Sequence, residues 1–248
     1  MGTARLDYTH CDLNHGAPKL SAGEVHCWLV PVSGTVGDTE ILDDEERDRA
    51  ARFHFEKDRN RFCAGRVWQR QILGAYLGKN PSTVAIERGV AGKPKLLDRS
   101  LSFNYSRSGE WGLLAVSRLG VLGADIEQIR QTDDLPNVAR GHFSGAEQAA
   151  LDQLTGDQWF NGFFACWTRK EAVVKAIGEG LLMPLDCFDV AIDPDAPARI
   201  LGARAEAAVA ADWSMASFRP EPGYLAAIAS NIPDPKLCFY LVDSSRPE

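Results

Sequence analysis

Asp125 and Glu127 stand two residues apart in Val121-Leu-Gly-Ala-Asp-Ile-Glu127, a stretch whose apolar neighbours predict a strand. In an extended chain, residues two apart share a face with Cβ atoms ~7 Å apart, so both carboxylates aim at one place. Two like charges among buried neighbours repel and lose hydration unless a cation or bound donors compensate them. A hard cation such as Mg²⁺ takes one or two carboxylates and leaves its other positions to water and phosphate. The alternative is an exposed strand end carrying two solvated acids.

A second pattern is Trp167-Thr-Arg-Lys170-Glu171-Ala-Val-Val-Lys175-Ala-Ile-Gly178-Glu-Gly180-Leu181. On a helix, Trp167, Glu171, Lys175 and Gly178 fall on one stripe, which reads as a working face rather than a core face. As an exposed i, i+4 pair, Glu171 and Lys175 would add only ~0.3–0.5 kcal/mol, and that leaves Trp167, Gly178 and the Gly-x-Gly exit unexplained. Phe103-Asn-Tyr-Ser106-Arg107-Ser108 places an amide, two hydroxyls and a cation at a predicted strand end, suited to phosphate contact or to turn chemistry. Gly92-Lys93-Pro94 lacks the glycine spacing and Ser/Thr of a P-loop, which disfavours a Walker-type NTPase. From Arg47 to Arg70 eight basic residues meet three acidic ones, a segment of +5 that includes Arg59, Arg61, Arg66 and Arg70. It is either a solvated helix face or a site for a polyanionic small molecule or acidic partner.

These residues need elements to hold them. Val25 to Val32 predicts a first strand, and Asp43 with Glu46 forms a capping box that opens a helix to about Phe55. A second helix is expected from about Lys57 to Leu77, with Gly78 as its C-cap and Phe62, Gly65, Gln69, Ile72, Leu73 and Tyr76 on its core side. Strands follow near 83–87, 101–105, 111–117 and 121–127. After a Pro- and Asp-rich loop come a helix from Ser144, one from Asp157 to Ile177, and strands near 187–192, 198–203, 213–218, 224–229 and 238–242. Residues 1–23 read as an irregular arm. Without βαβαβ regularity this is an α+β protein in two similar-sized halves, joined near 118–120.

The whole chain of 248 residues carries a net charge of −7, so the rest of the molecule is at −12 and a general nucleic-acid binder is disfavoured. Six scattered cysteines with no Cys-x-x-Cys, and no charged-apolar-small leader, lead us to expect reduced thiols in a cytoplasmic protein. No apolar run approaches the ~18 residues of a membrane span.

Taken in order, Gly92-Lys93-Pro94, Phe103 to Ser108, Gly123 to Glu127, Trp167 to Leu181, and the Arg52-Phe53 to Gly65-Arg66 stretch resemble the Sfp-type 4′-phosphopantetheinyl transferases. The resemblance runs from about residue 24 to 230. It implies two pseudo-symmetric α+β halves with the active site in the cleft between them. Residues 1–118 would bind coenzyme A and the carrier, and 119–248 would hold the metal and the catalytic groups. The implied reaction moves the phosphopantetheine arm of coenzyme A to a serine of an acidic acyl or peptidyl carrier protein, releasing adenosine 3′,5′-bisphosphate. Asp125, Glu127 and Glu171 would hold Mg²⁺ (or Mn²⁺). Lys175 would steady phosphate charge, and Glu171 or a water would take the serine proton. Arg61, Arg66, Lys93, Ser106 and Arg107 would meet coenzyme A. On this reading the basic segment becomes functional, and the protein is expected to work as a monomer without nucleic acid or membrane.

Two departures bear on that expectation. Arg107 replaces the family's histidine, keeping a cation for phosphate but losing any acid–base role. Glu147 is either a further acid near the metal or the partner of Ser144 in a capping box. Competing readings are a non-catalytic homologue that binds carrier protein and coenzyme A, and a Mg²⁺-dependent phosphohydrolase acting on nucleotides.

Overall fold

The first strand predicted from alternation is present as β2, Glu24–Pro31, and it is the organising strand of the first half. The computed structural model describes residues 6–34, 37–89, 92–178, 183–204 and 213–242. A short strand β1 (Thr9–Cys11) precedes β2, and two helices follow it, α1 (Asp44–Ala51) and the 22-residue α2 (Glu56–Leu77). The capping box of α1 is closed in both directions: Glu46 N donates to Asp43 Oδ1 at 2.8 Å and Asp43 N to Glu46 Oε2 at 3.3 Å. Gly78 ends α2 with φ of 61°, the left-handed turn that glycine adopts without a Cβ penalty. The hairpin β3 (Ile86–Arg88) and β4 (Pro94–Leu96) leads to β5 (Ser102–Ser108) and β6 (Trp111–Ser117).

The second half repeats the plan. Strand β7 (Leu122–Gln128) leads through α3 (Leu135–His142) and α4 (Gly145–Leu151) to the 21-residue α5 (Asp157–Ile177). Then come β8 (Phe188–Val190), β9 (Ile200–Ala203), β10 (Ser214–Phe218), β11 (Tyr224–Ser230) and β12 (Lys236–Val242). In the first sheet β2 pairs with β6 and β6 with β5; in the second β7 pairs with β11 and β11 with β10, all antiparallel. Strand, long helix and hairpin thus occur twice with the same strand order, which is the two-halved α+β fold expected.

The alternation of each strand sorts the core into layers. Val25, Cys27 and Leu29 of β2 meet Leu122, Ala124 and Ile126 of β7 in an apolar layer between the sheets. The opposite face of the first sheet, through Trp28, Val30, Phe103 and Leu114, packs on Ile72 and Leu73 of α2. The outer face of the second, through Leu225, Ala227 and Ala229, packs on Ala172, Val173 and Ala176 of α5. The order is helix, sheet, sheet, helix.

Four details differ from the sequence reading. Residues 9–11 form an edge strand, because the last strand β12 returns to the first sheet and lies parallel between β1 and β2. The Pro- and Asp-rich loop contains α3, with Pro136 in its first turn, where a missing N–H costs nothing. The helix opened by Asp43 stops at Ala51 rather than near Phe55. Arg70 is no part of an exposed cationic face: it is 1% exposed, pairs with Asp43 and with Glu46 at 2.6 Å, and donates to the Val84 carbonyl at 3.1 Å.

Candidate active site

Strand β7 places Gly123, Asp125 and Glu127 on the face that looks toward α5, opposite the apolar face of Leu122, Ala124 and Ile126. What brings α5 close is Gly123. A Cβ there would lie 1.9 Å from the Ala172 carbonyl oxygen and 2.5 Å from the Ala176 nitrogen, so any side chain would push the helix backbone away. The same contact delivers Lys175. Its Nζ donates to Asp125 Oδ1 at 2.5 Å and to Ser106 Oγ at 3.0 Å, and Ser106 Oγ donates to Asp125 Oδ1 at 2.7 Å. Asp125 is 2% exposed, and its other oxygen, Oδ2, is buried without a hydrogen bond.

The motif Phe103 to Ser108 turns out to be a seam. It makes up β5 from its second residue to its last, Ser108, and its alternate residues reach across to β7. Asn104 Oδ1 accepts from Ala124 N at 2.8 Å, Ser106 reaches Asp125, and Ser108 Oγ donates to Glu127 Oε2 at 2.5 Å. No backbone ladder joins β5 to β7, so side chains do the pairing. The sequence alone does not single out Asn104 and Ser108 for this pairing, although their period of two beside the carboxylates' own period of two is its signal.

Burial dominates the electrostatics. It raises Glu127 to about 7, with the Asp125 charge adding to the effect and Ser108 and Lys175 opposing it. Burial and then Asp125 also raise Glu171, against Lys175. For Lys175 burial acts downward, yet Asp125, Glu171 and Glu127 together outweigh it and hold the ammonium above its ordinary value. The three carboxylates therefore compete for one cationic side chain. Their oxygens do not form a closed ligand set: among the described residues the one trio of ligating side chains within 4.8 Å is elsewhere. A divalent cation fits here on the chemistry of the donors, since Asp125 has an unused buried oxygen and two neighbours hold protons too tightly.

A pH dependence follows. An acid raised from 4.5 to about 7 keeps its proton in the folded state while the unfolded chain has already released it. Stability from this group is therefore greatest below pH 4.5 and is lost as pH rises to about 7, on the order of 3 kcal/mol. In chelator, Glu127→Gln is expected to flatten the fall in melting temperature between pH 5 and 8; an unchanged slope would remove Glu127 from this account.

The other expected site residues lie apart from this cluster. Lys93 Nζ donates to the Leu122 carbonyl at 2.9 Å and to the Ala176 carbonyl at 3.0 Å, so it fastens the β3–β4 hairpin to β7 and caps the C-terminus of α5. Burial lowers it to about 8, and one of its three N–H donors remains for an anion. Arg61 lines a groove of about 310 Å³ with Ser33, Gly34, Lys57 and Asn60, and its Nε is buried without a partner. Arg66 donates to Gln69 Oε1 at 2.9 Å and lies 3.8 Å from Glu46. Arg107 shares the α2-facing side of β5 with Tyr105, where its charge and that of Arg66 are both felt. The Tyr105 ring occupies the space that Gly65 and Gly112 leave, with Cβ atoms there falling 2.3 and 2.4 Å from its hydroxyl.

Of the two readings of Glu147 the capping box is the one present, and the Trp167 expectation changes. Glu147 is a capping and core residue: it accepts from Ser144 N and Val190 N, both at 2.8 Å, and pairs with buried Lys170 at 2.9 Å. With both oxygens engaged it is no ligand for the site. Trp167 stacks on Phe163 and meets His142 edge-on, so this end of the α5 stripe belongs to the core, and of the stripe Glu171 and Lys175 lie by Asp125. Gly178 ends α5 with φ of 85°, whereas Gly180 and Leu181 lie outside the described residues.

The sequence is similar to those of known proteins. Residues 121–229 match the model of the 4′-phosphopantetheinyl transferase superfamily, and residues 31–119 match that of the 4′-phosphopantetheinyl transferase N-terminal region. The chain is 36% identical to the 4′-phosphopantetheinyl transferase HetI of Nostoc sp. (strain PCC 7120) over 85% of its length and 89% of the relative's. It is 27% identical to the 4′-phosphopantetheinyl transferase Sfp of Bacillus subtilis (strain 168), over 78% of this chain and 84% of that one. The two matched regions meet at the join between the halves, and the second contains both the β7 carboxylates and the α5 Glu-Lys pair. The chain belongs to the 4′-phosphopantetheinyl transferase family of enzymes.

Proposed function

We propose that this protein transfers the 4′-phosphopantetheine arm of coenzyme A to a serine of an acidic acyl or peptidyl carrier protein. The observation that carries the reading is the buried Asp125, with one oxygen on Lys175 and Ser106 and the other unused, between two carboxylates of raised proton affinity. Such a centre suits phosphoryl-type transfer, where charge neutralisation and alignment matter more than covalent catalysis.

Asp125, Glu127 and Glu171 would hold Mg²⁺, or Mn²⁺ in its place, and the ion would neutralise charge on the pyrophosphate of coenzyme A. The chain's own groups do the rest. Lys175 brings its ammonium to the transferring phosphoryl group and steadies charge as the pyrophosphate bond breaks. Glu171, a better base for being buried, accepts the proton of the carrier serine, directly or through a water. The serine oxygen forms its bond to the phosphopantetheine phosphorus, and adenosine 3′,5′-bisphosphate departs with the electron pair of the broken P–O bond.

Arg61, Arg66, Arg107 and the remaining donor of Lys93 are assigned to the phosphates of coenzyme A. The partner-free Nε of Arg61 supports its place in that set. Arg107 would act as a permanent cation where the family has histidine, which fits binding rather than acid–base work. Ser106 is assigned to hold Asp125 and Lys175 in register. Because Ser106 comes from the first half and Asp125, Glu171 and Lys175 from the second, one chain supplies the centre and a monomer suffices. The site of action is taken to be the cytoplasm. Among the described residues no helix is long and apolar enough to cross a membrane.

Chromatography of the nucleotide product separates this reading from its rivals. Release of adenosine 3′,5′-bisphosphate is expected only with coenzyme A, apo carrier and divalent cation together. Release without carrier would indicate a hydrolase, and no release with coenzyme A bound would indicate a non-catalytic homologue.

A further inference from the structure

The α2-facing side of the first sheet carries polar chemistry that the transfer reaction does not use. Glu24, His26 and Trp28 share that face of β2, and Cys238 lies directly beside His26 on the parallel neighbour β12. One ligand atom from each of Glu24, His26 and Cys238 falls within 4.8 Å of the other two. His26 is 1% exposed, and its Nδ1 meets the Tyr76 hydroxyl at 2.6 Å. Its other nitrogen, Nε2, is buried with no hydrogen bond and lies 3.5 Å from Glu24 Oε2. A buried ring nitrogen facing a carboxylate and a thiol, with its partner nitrogen fixed by a hydroxyl, is the orientation a metal-binding histidine needs.

We propose that Glu24, His26 and Cys238 form a site for a thiophilic divalent cation of the zinc class, which ties the last strand to the first sheet. Ligand type decides the metal: imidazole and thiolate favour zinc over the hard cations that carboxylate centres take. In a tetrahedral zinc site neighbouring ligand atoms stand roughly 3.3–3.6 Å apart, so Glu24 and His26 are already in range and Cys238 needs a side-chain rotation. Water takes the fourth position. On binding, the Sγ–H bond breaks, the sulfur keeps the electron pair for the metal, and the proton goes to solvent. Exposed Lys236 holds Glu24 Oε1 at 3.1 Å, while Oε2 accepts from Ser21 N at 3.0 Å and keeps its second lone pair for the metal.

The consequence is structural. β12 is the strand that returns to the first sheet from the far end of the chain, so a metal bridging it to β2 would fasten it there. The test is titration of the reduced, full-length protein with Co²⁺ in excess Mg²⁺, followed by thiolate-to-cobalt charge-transfer absorption. Carboxylate centres are silent in that band. One equivalent is expected to develop it, Zn²⁺ to abolish it, Cys238→Ser to remove it, and Glu24→Gln to weaken Co²⁺ binding at least ~10-fold. Cys187→Ser is expected to retain it, and phosphopantetheine transfer by Cys238→Ser to stay at the wild-type rate. Absence of the band in the wild-type protein, or its persistence in Cys238→Ser, would overturn the proposal.

Discussion

Asp125→Asn is expected to lower kcat/KM for phosphopantetheine transfer at least ~10²-fold, a loss of about 2.7 kcal/mol or more of transition-state stabilisation. The substitution keeps the side-chain volume and removes the charge on which Lys175, Ser106 and the unused buried oxygen converge. Two effects combine. The donor set proposed for the cation loses its most buried member, and Lys175 loses the partner that fixes its ammonium 2.5 Å away. The fold is expected to survive, because removing one of three mutually repelling carboxylates relieves Glu127 and Glu171, whose proton affinities Asp125 raises. Carrier binding therefore remains measurable while kcat falls. A variant within about threefold of wild type, with an unchanged circular dichroism spectrum, would remove Asp125 from the centre.

Gly123→Ala is expected to be damaging out of proportion to one methyl group. The new Cβ would meet the Ala172 carbonyl at 1.9 Å and the Ala176 nitrogen at 2.5 Å, both backbone atoms that no rotamer change can clear. Either α5 lifts from β7 or the strand bends. The expected cost is about 3 kcal/mol or more, and a melting temperature lower by roughly 6–12 °C. Activity falls as well, because Glu171 and Lys175 ride on the displaced helix and misplacement by about 1 Å costs ~10²-fold. Gly141→Ala is the control. It lies in α3 with open space around its position, so it is expected to be neutral or slightly stabilising by helix propensity. Equal stability of the two variants would mean that the close approach of β7 and α5 is not what builds the site.

Both effects were partly legible in the sequence. The period of two in Gly123-Ala-Asp125-Ile-Glu127 and the spacing of four between Glu171 and Lys175 are local patterns, and each element presents its groups as that pattern dictates. The ends of α2 and α5 were also legible, because Gly78 and Gly178 both take the left-handed conformation that ends a helix. What local patterns cannot carry is which elements meet. Arg70 looks like a surface cation until Asp43 and Glu46, 27 and 24 residues earlier, are folded against it. Ser106 and Ser108 look like phosphate or turn residues until β5 is laid beside β7, where their hydroxyls serve carboxylates instead. The return of β12 to the first sheet is likewise set by tertiary pairing, and residues 9–11 become a strand only because β12 is there to pair with.

The chain is expected to move a phosphopantetheine arm from coenzyme A to a carrier serine through the Asp125 centre. Intact-mass spectrometry of an apo carrier protein, incubated with this protein, coenzyme A and Mg²⁺, tests it most directly. The expected result is a gain equal to one phosphopantetheine group that is absent with EDTA and absent with Asp125→Asn. No gain on fatty-acid, polyketide or peptide carriers, with coenzyme A still bound by the protein, would contradict it.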